Sequence, residues 1–147
     1  MPATTPRETV ERLVRAATSA DPGDMADCYA TEVVIEMPFA TPALYPARIE
    51  TTCEQLRARF RAGTALRRYT GLDRLVIHET TDPEVVIAEY ALRGERAATG
   101  EPFTLPFLMV VTVRDGRIVH SRDYTDQVAG ARVLGRIPEL VAALTTG

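Results

Sequence analysis

Residues 110–126 read VVTVRDGRIVHSRDYTD, and this stretch decides the fold. Asp115-Gly116 stands between two strand-like runs. A type I′ turn needs φ > 0 at both central residues, and Asp-Gly tolerates that. The stretch therefore predicts a β-hairpin, with Phe107 to Arg114 as its apolar first arm and Arg117 to Tyr124 as its return arm. Side chains alternate along a strand. Val119, Ser121 and Asp123 are thus expected on one face, and Ile118, His120 and Arg122 on the other. Only one of these faces can cover a core.

Working outward, four strands are expected in succession, roughly Leu66 to Glu79, Val85 to Arg96, Phe103 to Arg114 and Arg117 to Thr125. The connections Thr81-Asp82-Pro83-Glu84, Ala98-Thr99-Gly100-Glu101 and Asp115-Gly116 are short. Neighbouring strands should then pair antiparallel as a meander. Gly71 interrupts the first of them, which predicts a bend or bulge. Further upstream, Thr5-Pro6-Arg7-Glu8 reads as a capping box with proline in the first helical turn. Val10, Leu13, Val14 and Ala17 follow as one apolar stripe, and the helix should end near Ser19. Asp21 to Asp24 starts a second, short helix. Val33 to Phe39, VVIEMPF, reads as a strand ending at Pro38, and Ala40 to Ile49 as a loop. A third helix is expected from Thr52 to Ala62, with Cys53, Leu56 and Phe60 on its apolar side and Gly63 as its stop. Beyond the hairpin, Asp126 caps a helix Gln127 to Leu134 closed by Gly135, and Pro138 to Leu144 forms a last short helix.

Composition narrows the function classes. The 147 residues suit one domain, 1–147, with a single core. Hydrophobic content of 46% and charged content of 25% fit a folded globular chain. The formal net charge is −3, so no global attraction to nucleic acid or anionic membrane is expected. No apolar run approaches the ~20 residues of a membrane span, and MPATTPRETVERL lacks the apolar stretch of a signal peptide. A cytoplasmic protein is expected. All 17 cationic residues are Arg; without lysine there is no Schiff base, no pyridoxal phosphate attachment and no phosphate-loop lysine. Cys28, Cys53, His78 and His120 have no metal-ligand spacing. No metal and no cofactor is expected.

Helices followed by a curved antiparallel meander make an α+β domain, and a bent sheet over helices leaves a cone whose mouth is a natural small-molecule pocket. This order, together with VVIEMPF, GRIVHSRDYTD and LGRIPEL, resembles the nuclear transport factor 2-like superfamily. That group includes ketosteroid isomerase, limonene epoxide hydrolase, the SnoaL-like polyketide cyclases and the phenazine-biosynthesis A/B proteins. The last are the most similar, in the turn Glu79 to Pro83, in Arg122-Asp123-Tyr124 and in Leu134-Gly135 before Pro138-Glu139. The resemblance implies a cone-shaped α+β barrel, with N-terminal helices packed on a curved antiparallel sheet, and a homodimer through the sheet. The ketosteroid isomerase base position is Met37 here, before Pro38-Phe39. The Arg-x-Asp pair of the epoxide hydrolase falls on Tyr90-Ala91-Leu92. Its third acid, in an Arg-Asp-Tyr on the last strand, is matched by Asp123.

The resemblance thus implies Asp123 as the catalytic acid/base. A carboxyl buried in an apolar cone has its pKa raised toward neutrality, as proton transfer near pH 7 requires. Glu36 is expected as a second catalytic carboxylate sharing the pocket, and Tyr90 as a donor to a developing oxyanion. Leu105, Phe107 and Met109 alternate along the neighbouring strand and should line the wall, with Leu92, Ser121 and Tyr29 completing the substrate-binding set. The competing reading of Asp123 is a surface acid paired with Arg122. Two functions follow. One is a cofactor-independent cyclase, isomerase, hydrolase or condensing enzyme of secondary metabolism, acting on an apolar carbonyl- or epoxide-bearing small molecule. The other is a non-catalytic binding or assembly module of the same fold.

Overall fold

The computed structural model describes residues 4–42 and 44–146. Its elements are helix α1 (Pro6–Ala16), a short 3₁₀ helix (Pro22–Cys28), strands β1 (Tyr29–Glu36) and β2 (Arg48–Thr52), helix α2 (Cys53–Gly63), strands β3 (Arg67–Glu79), β4 (Val85–Arg96), β5 (Pro102–Arg114) and β6 (Arg117–Thr125), and helices α3 (Gln127–Leu134) and α4 (Ile137–Thr145). The strands form one six-stranded sheet in the order β2-β1-β6-β5-β4-β3, curved and unclosed. The expected α+β fold is present. Among the described residues no helix is long and apolar enough to cross a membrane.

The caps operate as the sequence predicts. Thr5 and Glu8 close a full capping box on α1, Thr52 and Gln55 close one on α2, and Asp126 accepts from the Ala129 amide to start α3. Gly135 ends α3 at φ +70°, where a side chain would be strained. At the hairpin tip Asp115 and Gly116 both have positive φ, as a type I′ turn demands. Helix α1 lies across the inner face of the sheet, and its buried Thr9 hydroxyl donates to the Gly116 carbonyl. Val10, Leu13 and Val14 of α1 meet Val86, Ala88, Met109, Val111 and Ile118 in one continuous core.

Three expectations are corrected. The segment expected as a loop from Ala40 to Ile49 gives way at Arg48 to β2, which pairs antiparallel with β1. The first strand starts at Tyr29 and ends before Pro38, whose missing N–H cannot extend a ladder. It also pairs parallel with β6, a long-range contact outside the meander. The third correction concerns the hairpin. Thr112 pairs with His120 but Val113 pairs with Ile118, so Val119 is an extra residue in β6. This β-bulge turns Ile118 inward, where it is fully buried, and leaves Val119 half-exposed. Ile118 therefore belongs to the core and not to the outer face of the sheet.

Two bulges also bend β3. One inserts Thr70 between Tyr69 and Gly71, where Gly71 predicts it. Gly71 lies opposite exposed Arg93 on the outer face, whereas Tyr69 lies opposite buried Gly94. The extra residue thus turns Tyr69 into the cone. Gly94 has to be glycine: a Cβ there would stand 2.5 Å from the Arg68 carbonyl oxygen and 2.6 Å from the Phe103 ring.

Candidate functional site

The inner face of the sheet is built in layers across β4, β5 and β6. Leu92 lies beside Leu105, then Tyr90 beside Phe107 and Thr125, then Ala88 beside Met109 and Asp123, then Val86 beside Val111 and Ser121. Ala88, Met109, Val111 and Ser121 are buried, so Asp123 points into the cone from the middle of an apolar wall. The expected face for Asp123 is the observed one. Arg122 pairs with Val110 on the opposite face and makes no ion pair with it.

Among the described residues Asp123 has one hydrogen-bond donor, the hydroxyl of fully buried Ser121 on the same strand. Among the described residues no cation forms an ion pair with it. Burial raises its carboxyl from 3.8 to about 6, while the Ser121 hydrogen bond and then the charge of His120 pull it back. The group is half ionised near pH 6 and keeps a protonated fraction at neutral pH.

Two phenols surround it. Tyr90 stacks on Phe107 with ring centroids 5.2 Å apart, and its hydroxyl donates to Met109 Sδ at 3.1 Å, a weak acceptor. Burial and then the negative charge of Asp123 push the Tyr90 hydroxyl well up. Tyr29, buried against Phe60 at 6.1 Å, is pushed up by the same two causes in the same order. Both phenols stay protonated donors beside the acid.

A cavity of about 170 Å³ opens at the wide end of the cone. Leu105, Phe107 and Thr125 form its inner wall, Tyr69 and Tyr45 its sides, and Val133 of α3 its roof. Asp123 does not line this open volume. It stands one layer deeper, behind Phe107 and Thr125, a step of about 7 Å along a strand. Tyr69 meets both Phe103 and Phe107 edge-on, at 6.1 and 6.4 Å.

Glu36 is not brought to Asp123. It pairs in register with Arg122, so it faces outward. There it binds His120 Nε2 at 2.9 Å and Arg48 at 3.3 Å, and the His120 hydrogen bond lowers its carboxyl below the usual range. The expected carboxylate pair is thus replaced by a single acid. The other expected residues, Tyr90, Leu92, Leu105, Phe107, Met109, Ser121 and Tyr29, all face inward on the same side as Asp123 or into the core beneath it. The sequence reading missed Arg67, Tyr69 and Thr125. The Gly71 signal was there, but which residue the bulge would re-aim depends on pairing with β4. Among the described residues no group of three or more His, Cys, Asp or Glu side chains is placed to hold a metal ion.

Comparison with known proteins gives the family and the fold. A protein-family profile described as a SnoaL-like domain matches residues 10–121. An uncharacterised PhzA/B-like protein of Pseudomonas aeruginosa is 26% identical over 143 residues, 96% of this chain and 97% of that one. The uncharacterised protein YesE of Bacillus subtilis is 26% identical over 130 residues, 87% and 86% of the two chains. Among solved structures, a candidate isomerase from Bacillus subtilis superposes with a TM-score of 0.78 at 25% identity, over 88% of this chain and 92% of that one. A phenazine biosynthesis-related protein of Pseudomonas aeruginosa superposes at 0.70 with 16% identity, over 88% and 80%, which shows the fold alone.

Proposed function

The chain belongs to the SnoaL-like domain family, and from that membership we propose that it is a cofactor-independent acid/base enzyme acting on an apolar small molecule that carries a carbonyl or an epoxide. The observation that carries this reading is Asp123: an inward carboxyl in an apolar wall, with no ion-pair partner among the described residues and a pKa raised to about 6. An acid serving only the fold would be paired; this one is held at a cost to the fold.

With a carbonyl substrate, the Asp123 carboxylate takes the proton from the carbon next to the carbonyl. The electron pair moves onto the carbonyl oxygen, which Tyr90 stabilises by a hydrogen bond exchanged from Met109 Sδ. Asp123 then returns the proton to another carbon, or the enolate attacks a second carbonyl carbon of the same molecule, closing a ring, and Asp123 gives the proton to the alkoxide formed. With an epoxide, protonated Asp123 gives its proton to the ring oxygen as water attacks carbon, and the proton shed by that water returns to the Asp123 carboxylate. Neutral pH supplies both forms of the acid.

The test is a screen of apolar ketones, β-dicarbonyls and epoxides with the wild type and Asp123→Asn. Turnover that falls by 10²-fold or more in a folded Asp123→Asn protein supports the assignment. Turnover untouched by the substitution refutes it.

We also propose a homodimer through the outer face of the sheet. Exposed Phe39 stands edge-on to Tyr124 there, at 5.0 Å, and Val76 is exposed on β3. Sedimentation of the wild type and Phe39→Glu tests it: a dimer that dissociates in the variant supports the interface, and a monomeric wild type rules it out.

A further inference from the structure

Among the described residues, Arg67 is the one cation that lines the cavity. Its charge is uncommitted: among the described residues it makes no ion pair, and its partner across the ladder is a second cation, Arg96, which is itself paired with Glu101 at 3.3 Å. Arg67 is held in place instead by aromatic contacts. Nε donates to the Tyr69 hydroxyl at 2.8 Å, and the guanidinium carbon lies 5.3 Å from the centre of the same ring. It also acts on Tyr45 across the opening, counteracting the effect of burial on that phenol. One other charged residue lines the space, Asp126, and its carboxylate is spent on the Ala129 amide at the start of α3.

We propose that Arg67 is an anion-binding residue of the site, and that the substrate is a small monocarboxylic acid with an apolar ring. This deepens the functional reading above and rests on it. A guanidinium fork matches a carboxylate with two parallel hydrogen bonds. The 170 Å³ of space takes about one ring, since an apolar cavity of roughly 150 Å³ holds benzene. Tyr69, Phe107 and Leu105 supply flat and aliphatic surface for that ring. Asp126 at the same rim disfavours a dianion such as a phosphate monoester. The geometry also separates like charges. A carboxylate on Arg67 sits at the mouth, and the far end of the ring points inward past Phe107 and Thr125, toward the layer of Asp123. Proton transfer would then occur at the end of the molecule remote from its charge.

The test compares benzoate with its neutral isostere benzamide, by titration calorimetry and by methyl NMR of Leu105 and Val133 in the full chain at pH 7.5. Benzoate should bind about tenfold or more tightly than benzamide, with shifts at both cavity methyl groups. Arg67→Gln should abolish that preference, so that the two probes bind the variant alike. Arg67→Lys, which keeps the charge without the fork, should retain part of it. Equal binding of the two probes to the wild type, or a preference that survives Arg67→Gln, overturns the anion subsite and leaves the acid/base reading standing. If neither probe moves the Leu105 and Val133 signals, the cavity is not a ligand site, and both readings fall together.

Discussion

Ser121 donates its hydroxyl to the carboxylate of Asp123 two residues further along β6, and both side chains face the interior of the cone. The donor is itself fully buried. A hydrogen bond given to the ionised form favours that form, so Ser121 restrains the rise that burial imposes on Asp123. Ser121→Ala should raise the Asp123 pKa further, by about one pH unit. Carbon-13 NMR titration of the Asp123 carboxyl in wild type and variant measures it. An unchanged midpoint would mean that the hydroxyl serves packing only.

Asp123→Asn should stabilise the protein. Folding moves this group from 3.8 to about 6, so the folded state holds the proton more tightly than the unfolded state. Stability contributed by Asp123 therefore falls as pH rises from about 4 to about 6, and stays low above that. The full difference is on the order of 3 kcal/mol, reduced because the amide is also imperfectly satisfied there. A net gain of about 1 kcal/mol would raise the thermal midpoint by ~2–4 °C at pH 8 and by nothing near pH 4. Asp126→Ala, which removes the α3 cap, should lower it by about 1 kcal/mol.

Tyr90→Phe separates fold from chemistry. The hydroxyl binds only a thioether, so its loss should cost less than about 1 kcal/mol of stability. If it stabilises an oxyanion, turnover should drop on the order of a hundredfold. A large stability loss with little change in turnover would reverse that assignment.

Glu36→Gln should leave turnover unaltered, because Glu36 faces outward onto His120 and Arg48. The His120 hydrogen bond lowers its carboxyl in the folded state, so its contribution is present above the ordinary carboxylate range and is lost as pH falls through it. The variant should show a shallower loss of stability on acidification, read from thermal midpoints between pH 3 and 7.

The bulge in β6 makes a paired prediction. Ile118→Ala should cost roughly 2–5 kcal/mol, as a fully buried isoleucine does, whereas Val119→Ala should cost less than about 1 kcal/mol. Strict alternation from Asp123 reverses this order, so urea melts of the two variants decide between the registers.

These outcomes follow the line between what neighbouring residues decide and what distant ones decide. Asp115-Gly116, the Thr5–Glu8 box and the Asp126 cap are local chemistry, and each is formed as its residues predict. The inward placement of Asp123 needed only the alternation nearest the end of β6. Ile118 and Glu36 were misplaced because their faces are set by partners far along the chain. Val113 fixes Ile118 across the bulge, and Arg122 fixes Glu36 through a parallel pairing that no hairpin signal announces. Arg67 and Tyr69 escaped for the same reason, since Tyr69 turns inward only when Thr70 is left out of the ladder with β4.

That parallel pairing has a consequence for how the protein is made. Strand β1 ends at Glu36, yet its neighbour β6 begins only at Arg117 and leaves the ribosome well after it. Until then β1 has only β2 beside it, and a two-stranded ribbon is marginal in water. The acid arrives on the very strand that closes this gap. A nascent chain halted before residue 117 would carry helices and most of the meander but neither Asp123 nor a covered β1 edge. Release of a premature fragment would expose a strand ready to pair with another copy. Completion of the sheet and placement of Asp123 in the cone are one event in the life of this polypeptide.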